Sequence, residues 1–236
     1  MFDTKRLNSI KIDLTPDKEY ALFIAKKDRV DFIYNTSALE GCALTYPEVE
    51  TLLDGVTVGG HKLSNEQMIL NQNRAVQLLF EMVQHNKFDL KKEMVCDLHY
   101  KLAFEEALSW GVFRDGNVNI GGTSYLPPDF KELDTIFEDG IKKLNQIKSP
   151  IIRAICYFLF GAKMQFFYDG NKRVSRLIAN GILLSNGYLP LNLKVKDKLE
   201  INKQMIKLYE SEDCMESLEY FLEYYIEQNK FLRRER

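Results

Sequence analysis

The feature that most constrains the fold is a pair of apolar helical runs separated by a short polar loop. The first run starts at Ser149 and Pro150, which suit the cap and first turn of a helix, and continues with apolar residues at spacings of three and four. The second starts near Asn171 and stops at Asn186 and Gly187, a pair that favours a left-handed helix end. The pattern predicts two core helices joined by a tight loop.

Further helices are predicted on either side of this pair. Thr45 and Glu48 form a capping box for a short helix, Ser64 starts a second and Asp89 caps a third. Later helical periods run from Leu133 to Leu144, around Ile201 to Tyr209 and around Leu218 to Ile226. The aromatic residues of the last run indicate either a packed C-terminal helix or a contact in a homo-oligomer. The expected class is mainly α.

One stretch breaks the helical pattern. Between Gly111 and Pro128, turn signals at residues 115–117 and at Gly121 and Gly122 flank the alternating residues Val118, Asn119 and Ile120. Such a pattern is typical of two short strands around a turn. A small β-hairpin is therefore predicted here, with a plain surface turn as the alternative.

Composition limits the class of protein. With 236 residues, of which 45% are apolar, the chain is long enough for one substantial core. A net charge of −2 provides no broad basic surface, so nucleic acid is not expected as the primary partner. The absence of a long apolar run and of signal-peptide order predicts a cytoplasmic protein without a membrane partner.

The loop between the two core helices carries the candidate chemistry. Unpaired backbone amides and the positive end of a helix dipole favour an anion at its start, and Gly170 allows close approach of a phosphate. Lys172, Arg173 and Arg176 add positive charge, while Asp169 is suited to hold Mg²⁺ between phosphates. Together these residues predict a nucleotide site. An ordinary capped helix start with solvated cations is the alternative.

Residues 165–176 resemble the signature of the Fic family, H-x-F-x-[DE]-G-N-[GK]-R-x-x-R. The resemblance is carried by Phe167, Asp169, Gly170, Asn171, Lys172, Arg173 and Arg176, with Gln165 where the family has histidine. Residues 118–122 resemble the family's target-docking flap. Residues 36–41 resemble its inhibitory motif, [ST]-x-x-x-E-[GN], with Thr36, Glu40 and Gly41 at the specified positions. The resemblance implies a Fic-fold helical bundle over residues 36–190, between an N-terminal extension (1–35) and a C-terminal helical extension (191–236).

The resemblance also implies roles for the residues of the loop. Fic enzymes typically transfer AMP from ATP to a hydroxyl group of a target protein, and the motif histidine removes the hydroxyl proton. By resemblance, Asp169 binds Mg²⁺, Asn171 and the loop amides hold the α-phosphate, and Arg173 contacts the triphosphate. Arg176 contacts the γ-phosphate or pairs with Glu40, in which case the pair would inhibit.

Two positions leave the function open. The Gln165 amide cannot act as a base near neutral pH. The chain is therefore predicted to be an adenylyltransferase of weakened or altered activity or, alternatively, an inactive module that binds nucleotide or a partner protein. Lys172 resembles the Doc branch of the family and favours a third alternative, transfer of a phosphoryl group to protein. No histidine stands near in sequence to replace the base, since the histidines are His61, His85 and His99.

Overall fold

The computed structural model describes residues 3–211 and 213–232, which form a helical protein. In chain order the α-helices are α1 (Thr4–Ser9), α2 (Lys18–Lys27), α3 (Arg29–Leu39), α4 (Tyr46–Leu53), α5 (Leu63–Gln84), α6 (Lys92–Leu102), α7 (Leu133–Leu144), α8 (Pro150–Met164), α9 (Asn171–Ser185), α10 (Lys198–Glu210) and α11 (Met215–Gln228). Short 3₁₀ turns lie at Phe130–Glu132, Val195–Asp197 and Lys230–Leu232. The mainly α prediction is confirmed.

The centre of the molecule is the hairpin of α8 and α9. Every residue of α8 from Ile151 to Lys163 is buried except Arg153, and α9 is buried from Arg173 to Leu184. A helix that is apolar on all sides must be surrounded by other elements. Here α5 and α6 pack against α9, while α7, α10 and α11 pack against α8. The two predicted core helices are therefore confirmed, and the loop between them is held by a rigid support.

Local capping signals set several helix ends as predicted. The Ser149 hydroxyl accepts a hydrogen bond from Ile152 N–H at 3.4 Å at the start of α8. Glu48 Oε2 accepts bonds from both the N–H and the hydroxyl of Thr45, each at 2.7 Å, at the start of α4. The cap predicted at Asp89 is wrong, because α6 begins at Lys92. The Asp89 carbonyl instead accepts a bond from Lys91 N–H in a turn before the helix.

The predicted β-hairpin at residues 118–122 is not present, since the described residues contain no strand. Arg114 explains how this segment is held without one. Its Nη1 donates to the Gly116 carbonyl at 2.7 Å and its Nη2 to the Pro128 carbonyl at 2.5 Å, so one side chain ties both ends of the segment. Asn117 Oδ1 accepts a further bond from Phe130 N–H at 3.2 Å. Side chains thus hold the two ends of this segment in place of strand pairing.

The aromatic residues of α11 pack within the chain. Phe221 and Tyr225 are fully buried, and the Phe221 ring meets Phe158 of α8 edge-on at 5.2 Å between centroids. The Tyr225 hydroxyl donates to the Leu189 carbonyl at 2.8 Å. These contacts confirm the packed C-terminal helix for this pair. Among the described residues, no helix combines the length and apolarity needed to cross a bilayer.

Candidate functional site

The side chain of Asn171 closes the loop between α8 and α9. Its Oδ1 accepts a bond from Phe167 N–H at 2.9 Å, and its Nδ2 donates to the Phe167 carbonyl at 2.7 Å. Phe166 and Phe167 are buried, as predicted for core packing rather than a recognition patch. These two bonds and the buried rings hold the loop against the start of α9.

Gln165 ends α8 in the left-handed region, with φ of +51°. Its side-chain Nε2 donates to the Ala162 carbonyl at 2.6 Å, and its Oε1 accepts from Asn171 Nδ2 at 3.0 Å. Its backbone carbonyl accepts from Arg114 Nε at 2.7 Å. Both ends of the amide are bonded within the protein, so Gln165 holds the loop and offers no titratable group.

The start of α9 is arranged for close approach of an anion. Gly170 has φ of +73°, and a Cβ at this position would lie 3.1 Å from Leu102 Cδ2. Within the described part of the chain, no side chain caps the start of α9, so the amides of its first turn are left for another partner at its positive end. Backbone amides in this arrangement bind phosphate.

Lys172 makes the first ion pair of the site, with Glu40 from the end of α3. Lys172 Nζ lies 2.9 Å from Glu40 Oε2, and the Glu40 side chain is 18% exposed. Burial raises the pKa of Glu40, but Lys172 and Arg176 together lower it below its ordinary value. Glu40 is therefore ionised at neutral pH. The ion pair expected with Arg176 is formed with Lys172 instead, because the flexible Lys172 side chain reaches the carboxylate from the first turn of α9.

Arg173 makes a second ion pair that the sequence did not indicate. Its Nη1 lies 2.7 Å from Glu106 Oε2, and its Nη2 lies 4.0 Å from Asp169 Oδ1. Glu106 belongs to the loop after α6 and stands 67 positions before Arg173. No motif contains it, so only the fold reveals the pair.

Arg176 is the most buried cation of the site, with 2% of its surface exposed. Its Nε and Nη2 are buried without a hydrogen-bond partner in the described part of the chain. Burial lowers the pKa of Arg176, Glu40 opposes that shift and Arg173 adds to it, and together they give a pKa of about 10. Arg176 therefore stays protonated at neutral pH, next to the site and with unused donors.

His99 contacts the loop through Phe167 and the Asp169 carbonyl, and it is not positioned to replace the histidine that the Fic signature has at position 165. Gly111 N–H donates to His99 Nδ1 at 3.1 Å, so the proton resides on Nε2, which lies 3.0 Å from the Asp169 carbonyl. The ring stacks on Phe167 at 3.6 Å between centroids. Burial lowers the pKa of His99 to about 4, so the ring is neutral with both nitrogens occupied. His61 pairs with Glu48, and neither of the two histidines lines the cavity beside Gln165.

One small cavity gathers most of the predicted residues. It measures about 70 Å³ and is lined by Glu40, Gln165, Tyr168, Asp169, Gly170, Asn171, Lys172 and Arg173. Sites for drug-sized ligands usually measure about 300–1,000 Å³, so a nucleotide would have to displace the Lys172–Glu40 pair to enter. Arg176, Thr36, Gly41 and residues 118–122 do not line this cavity. A separate cavity of about 180 Å³ lies on another side of α9, between α2, α3 and α5.

The comparisons with known proteins agree with this geometry. Residues 89–183 match the sequence model of the Fic/DOC family. The protein adenylyltransferase Fic of Drosophila melanogaster is 26% identical over 202 aligned residues, which cover 80% of this chain and 40% of that protein. The corresponding protein of Drosophila sechellia matches to the same extent. The chain thus spans about two fifths of the length of the curated relatives it matches.

Solved structures share the fold. Residues 134–508 of Fic-1 from C. elegans superpose with a TM-score of 0.78 at 17% identity, covering 97% of this chain and 68% of that one. A Fic domain containing signaling protein from Bacteroides thetaiotaomicron gives 0.74 at 19% identity, covering 97% and 92%. The match of residues 89–183 to the Fic/DOC sequence model agrees with the resemblance of the loop to the Fic signature. The inhibitory role of the residues at the end of α3 stays a prediction.

Proposed function

We propose, because residues 89–183 match the Fic/DOC sequence model, that this chain binds Mg²⁺–ATP at the start of α9 and transfers AMP to protein hydroxyl groups, weakly and under self-inhibition. The observation that carries the proposal is the anion site itself. Gly170 and two cations of the first turn of α9, Lys172 and Arg173, line one cavity, and the buried Arg176 lies one turn further along that helix. The adenylyltransferase relatives support ATP as the substrate.

The proposed transfer assigns one task to each residue of the loop. The target's hydroxyl oxygen bonds to the α-phosphorus, the bond from that phosphorus to the bridging oxygen breaks, and pyrophosphate leaves. The amides at the start of α9 and Asn171 hold the α-phosphate, while Arg173 and Arg176 contact the remaining phosphates. The hydroxyl proton passes to solvent, because the Gln165 amide cannot accept it.

Asp169 fits a magnesium ion that arrives with the nucleotide. Its side chain is 65% exposed at the cavity, and only its Oδ1 is bonded, to Gly170 N–H at 2.6 Å. In the described residues no cluster of three or more His, Cys, Asp or Glu is placed to hold a metal. Nucleotide-bound Mg²⁺ needs only one or two protein carboxylates, since phosphates and water supply its other ligands. The ion would neutralise phosphate charge.

Glu40 is proposed to inhibit by occupying Lys172. The pair narrows the cavity and removes one positive charge from the anion site. A nucleoside triphosphate and Glu40 then compete for the same cation, Lys172. Arg176 is near enough to Glu40 to lower its pKa, and its charge would also attract the phosphates. Nucleotide binding should therefore strengthen when the carboxylate is removed.

Calorimetric titration with Mg²⁺–ATP tests the inhibitory role. Glu40→Gly and Glu40→Gln should each tighten binding by about tenfold, within the usual range for coupling between two ligands of one site. Glu50→Gln, which removes an equal charge from an exposed position on α4, serves as the control and should leave the affinity unchanged. Equal affinity in the Glu40 variants and the natural protein would contradict inhibition by Glu40.

A second candidate function is nucleotide binding without transfer, and the bonds of Gln165 favour it. The amide is tied to Ala162 and Asn171, so it contributes structure where the family has a base. Incubation of the Glu40→Gly protein with ATP labelled at the α- or γ-phosphate separates the alternatives. Label from the α-phosphate on protein supports AMP transfer, label from the γ-phosphate supports Doc-like phosphorylation, and neither supports the binding module.

A further inference from the structure

Arg173 is held from the protein side by a buried carboxylate. Its guanidinium is 4% exposed and bonds Glu106 Oε2 through Nη1 at 2.7 Å, while the Glu106 side chain is 9% exposed. Arg173 nevertheless lines the cavity. Its Nη2 lies toward Asp169, at 4.0 Å from Oδ1. One nitrogen of the guanidinium is thus anchored in the protein, and another faces the site where the nucleotide is proposed to bind.

Glu106 is itself fixed by α5. Asn71 Nδ2 donates to Glu106 Oε1 at 2.8 Å and to the Phe104 carbonyl at 2.7 Å. The Asn71 side chain is fully buried, and its Oδ1 accepts from Gln67 Nε2 at 2.9 Å. Each carboxylate oxygen of Glu106 therefore has its own partner, one on α5 and one on α9. A carboxylate bonded on both oxygens sets the direction of the arginine that it meets.

We propose that Glu106 is a positioning residue for nucleotide binding: it fixes the Arg173 guanidinium so that the nitrogens not bonded to Glu106 meet the phosphate chain. This inference rests on the proposed function. An arginine has five N–H donors in a planar fork, so a bond through Nη1 leaves the other edge for phosphate. Glu106 then prepares the site for a polyphosphate and discriminates it from a nucleotide with a single phosphate.

The burial of the pair distinguishes Glu106 from Glu40. Lys172 is 39% exposed and can release Glu40 to bind an incoming phosphate. Arg173 and Glu106 are both almost entirely buried, and separating such a pair would leave an uncompensated charge in the protein. Glu106 therefore stays bonded when nucleotide binds, and its removal should weaken binding where removal of Glu40 strengthens it.

A double-mutant cycle tests this role in the Glu40→Gly protein, titrated with Mg²⁺–ATP and with AMP. Glu106→Gln keeps the shape of the side chain but loses the charge and one acceptor. It should weaken ATP binding by roughly ten- to hundredfold and AMP binding by much less. With Arg173→Ala already present, Glu106→Gln should change ATP affinity little. Glu105→Gln, at the exposed neighbouring position, is the matched control.

Other outcomes would overturn the inference in distinguishable ways. An equal loss for ATP and AMP, or the same loss with and without Arg173, would mean that Glu106 only stabilises the fold. Tighter ATP binding in Glu106→Gln would make it a competitor of phosphate. If the Glu106→Gln protein does not fold, Glu106→Asp, which keeps the charge but shortens the side chain, replaces it in the same double-mutant cycle with Arg173→Ala. Absence of ATP binding in the Glu40→Gly protein with intact Glu106 would instead contradict the proposed function.

Discussion

Gln165 combines a left-handed backbone with a side chain that is hydrogen-bonded at both ends. Few residues other than glycine adopt this backbone without cost, and histidine, asparagine and aspartate do so more often than most. The position can therefore accept an imidazole without rebuilding the loop. At the scale of single residues, the proposed AMP transfer would therefore be limited by the missing base rather than by the proposed phosphate site beside it.

Replacing Gln165 by histidine in the Glu40→Gly protein should raise the rate of AMP transfer. A general base typically contributes on the order of 10²–10⁴-fold, and the imidazole would supply it near neutral pH. The rate is measured as α-phosphate label incorporated into protein per unit time. Gln165→Asn, which introduces no base, is the control, and equal rates in the histidine and asparagine variants would contradict the argument.

At the scale of elements, α8 and α9 approach closely through a glycine. A Cβ at Gly161 would lie 2.2 Å from Ser175 Oγ and 3.0 Å from Ser175 Cβ. Both positions lie within five residues of the loop between the two helices. The spacing of these two helices therefore determines how Gln165 and Asn171 meet.

Gly161→Ala should destabilise the protein by about 1–3 kcal/mol, because the added methyl group forces the two helices apart. A decrease in the free energy of unfolding would be diagnostic, since glycine to alanine in an exposed helix raises that free energy by up to about 1 kcal/mol. Chemical denaturation provides the measurement. Adding Ser175→Ala removes the nearer contact and should recover part of the loss. Gly59→Ala, whose Cβ would meet no atom within 4 Å, is the control.

At the scale of the whole molecule, the site is assembled from four distant segments. Glu40, which follows α3, pairs with Lys172 of α9. Glu106, in the loop after α6, pairs with Arg173 and is held in turn by Asn71 of α5. His99 adds a link from α6 to the Asp169 carbonyl. Global stability and the geometry of the site are consequently coupled through buried polar groups.

The free energy of unfolding should fall as pH decreases from 7 toward 4 because of His99. Its pKa drops from an ordinary 6.5 to about 4 on folding, so between these values the unfolded chain binds a proton that the native protein excludes. At about 1.4 kcal/mol for each pH unit, the full loss is about 3 kcal/mol. Denaturation of His99→Phe should show a shallower pH dependence, whereas His85→Gln, at an exposed position, should match the natural protein. An unchanged slope in His99→Phe would contradict this assignment.

Local sequence signals determined most of the helices and the loop between α8 and α9, but not residues 118–122, where they predicted strands that are not formed. The Thr45–Glu48 and Ser149 caps, the start of α9 at Asn171 and the buried phenylalanines of the loop follow from residues within a few positions of each other. Caps and helical periods depend on neighbouring side chains and backbone groups, so a sequence records them directly. The family resemblance rests on the same short segment.

Only the tertiary structure decided which charges meet. Glu40 pairs with Lys172, and Arg173 pairs with Glu106. The bond from Gly111 N–H places the proton of His99 on Nε2. Arg114 holds residues 114–128 without strands. Each of these contacts joins groups whose separation depends on how the helices pack, and differences of a few ångströms select one partner over another. The sequence by itself therefore determined where the candidate anion site lies, while the packing of α3, α5 and α6 around α9 decided which side chains restrain it.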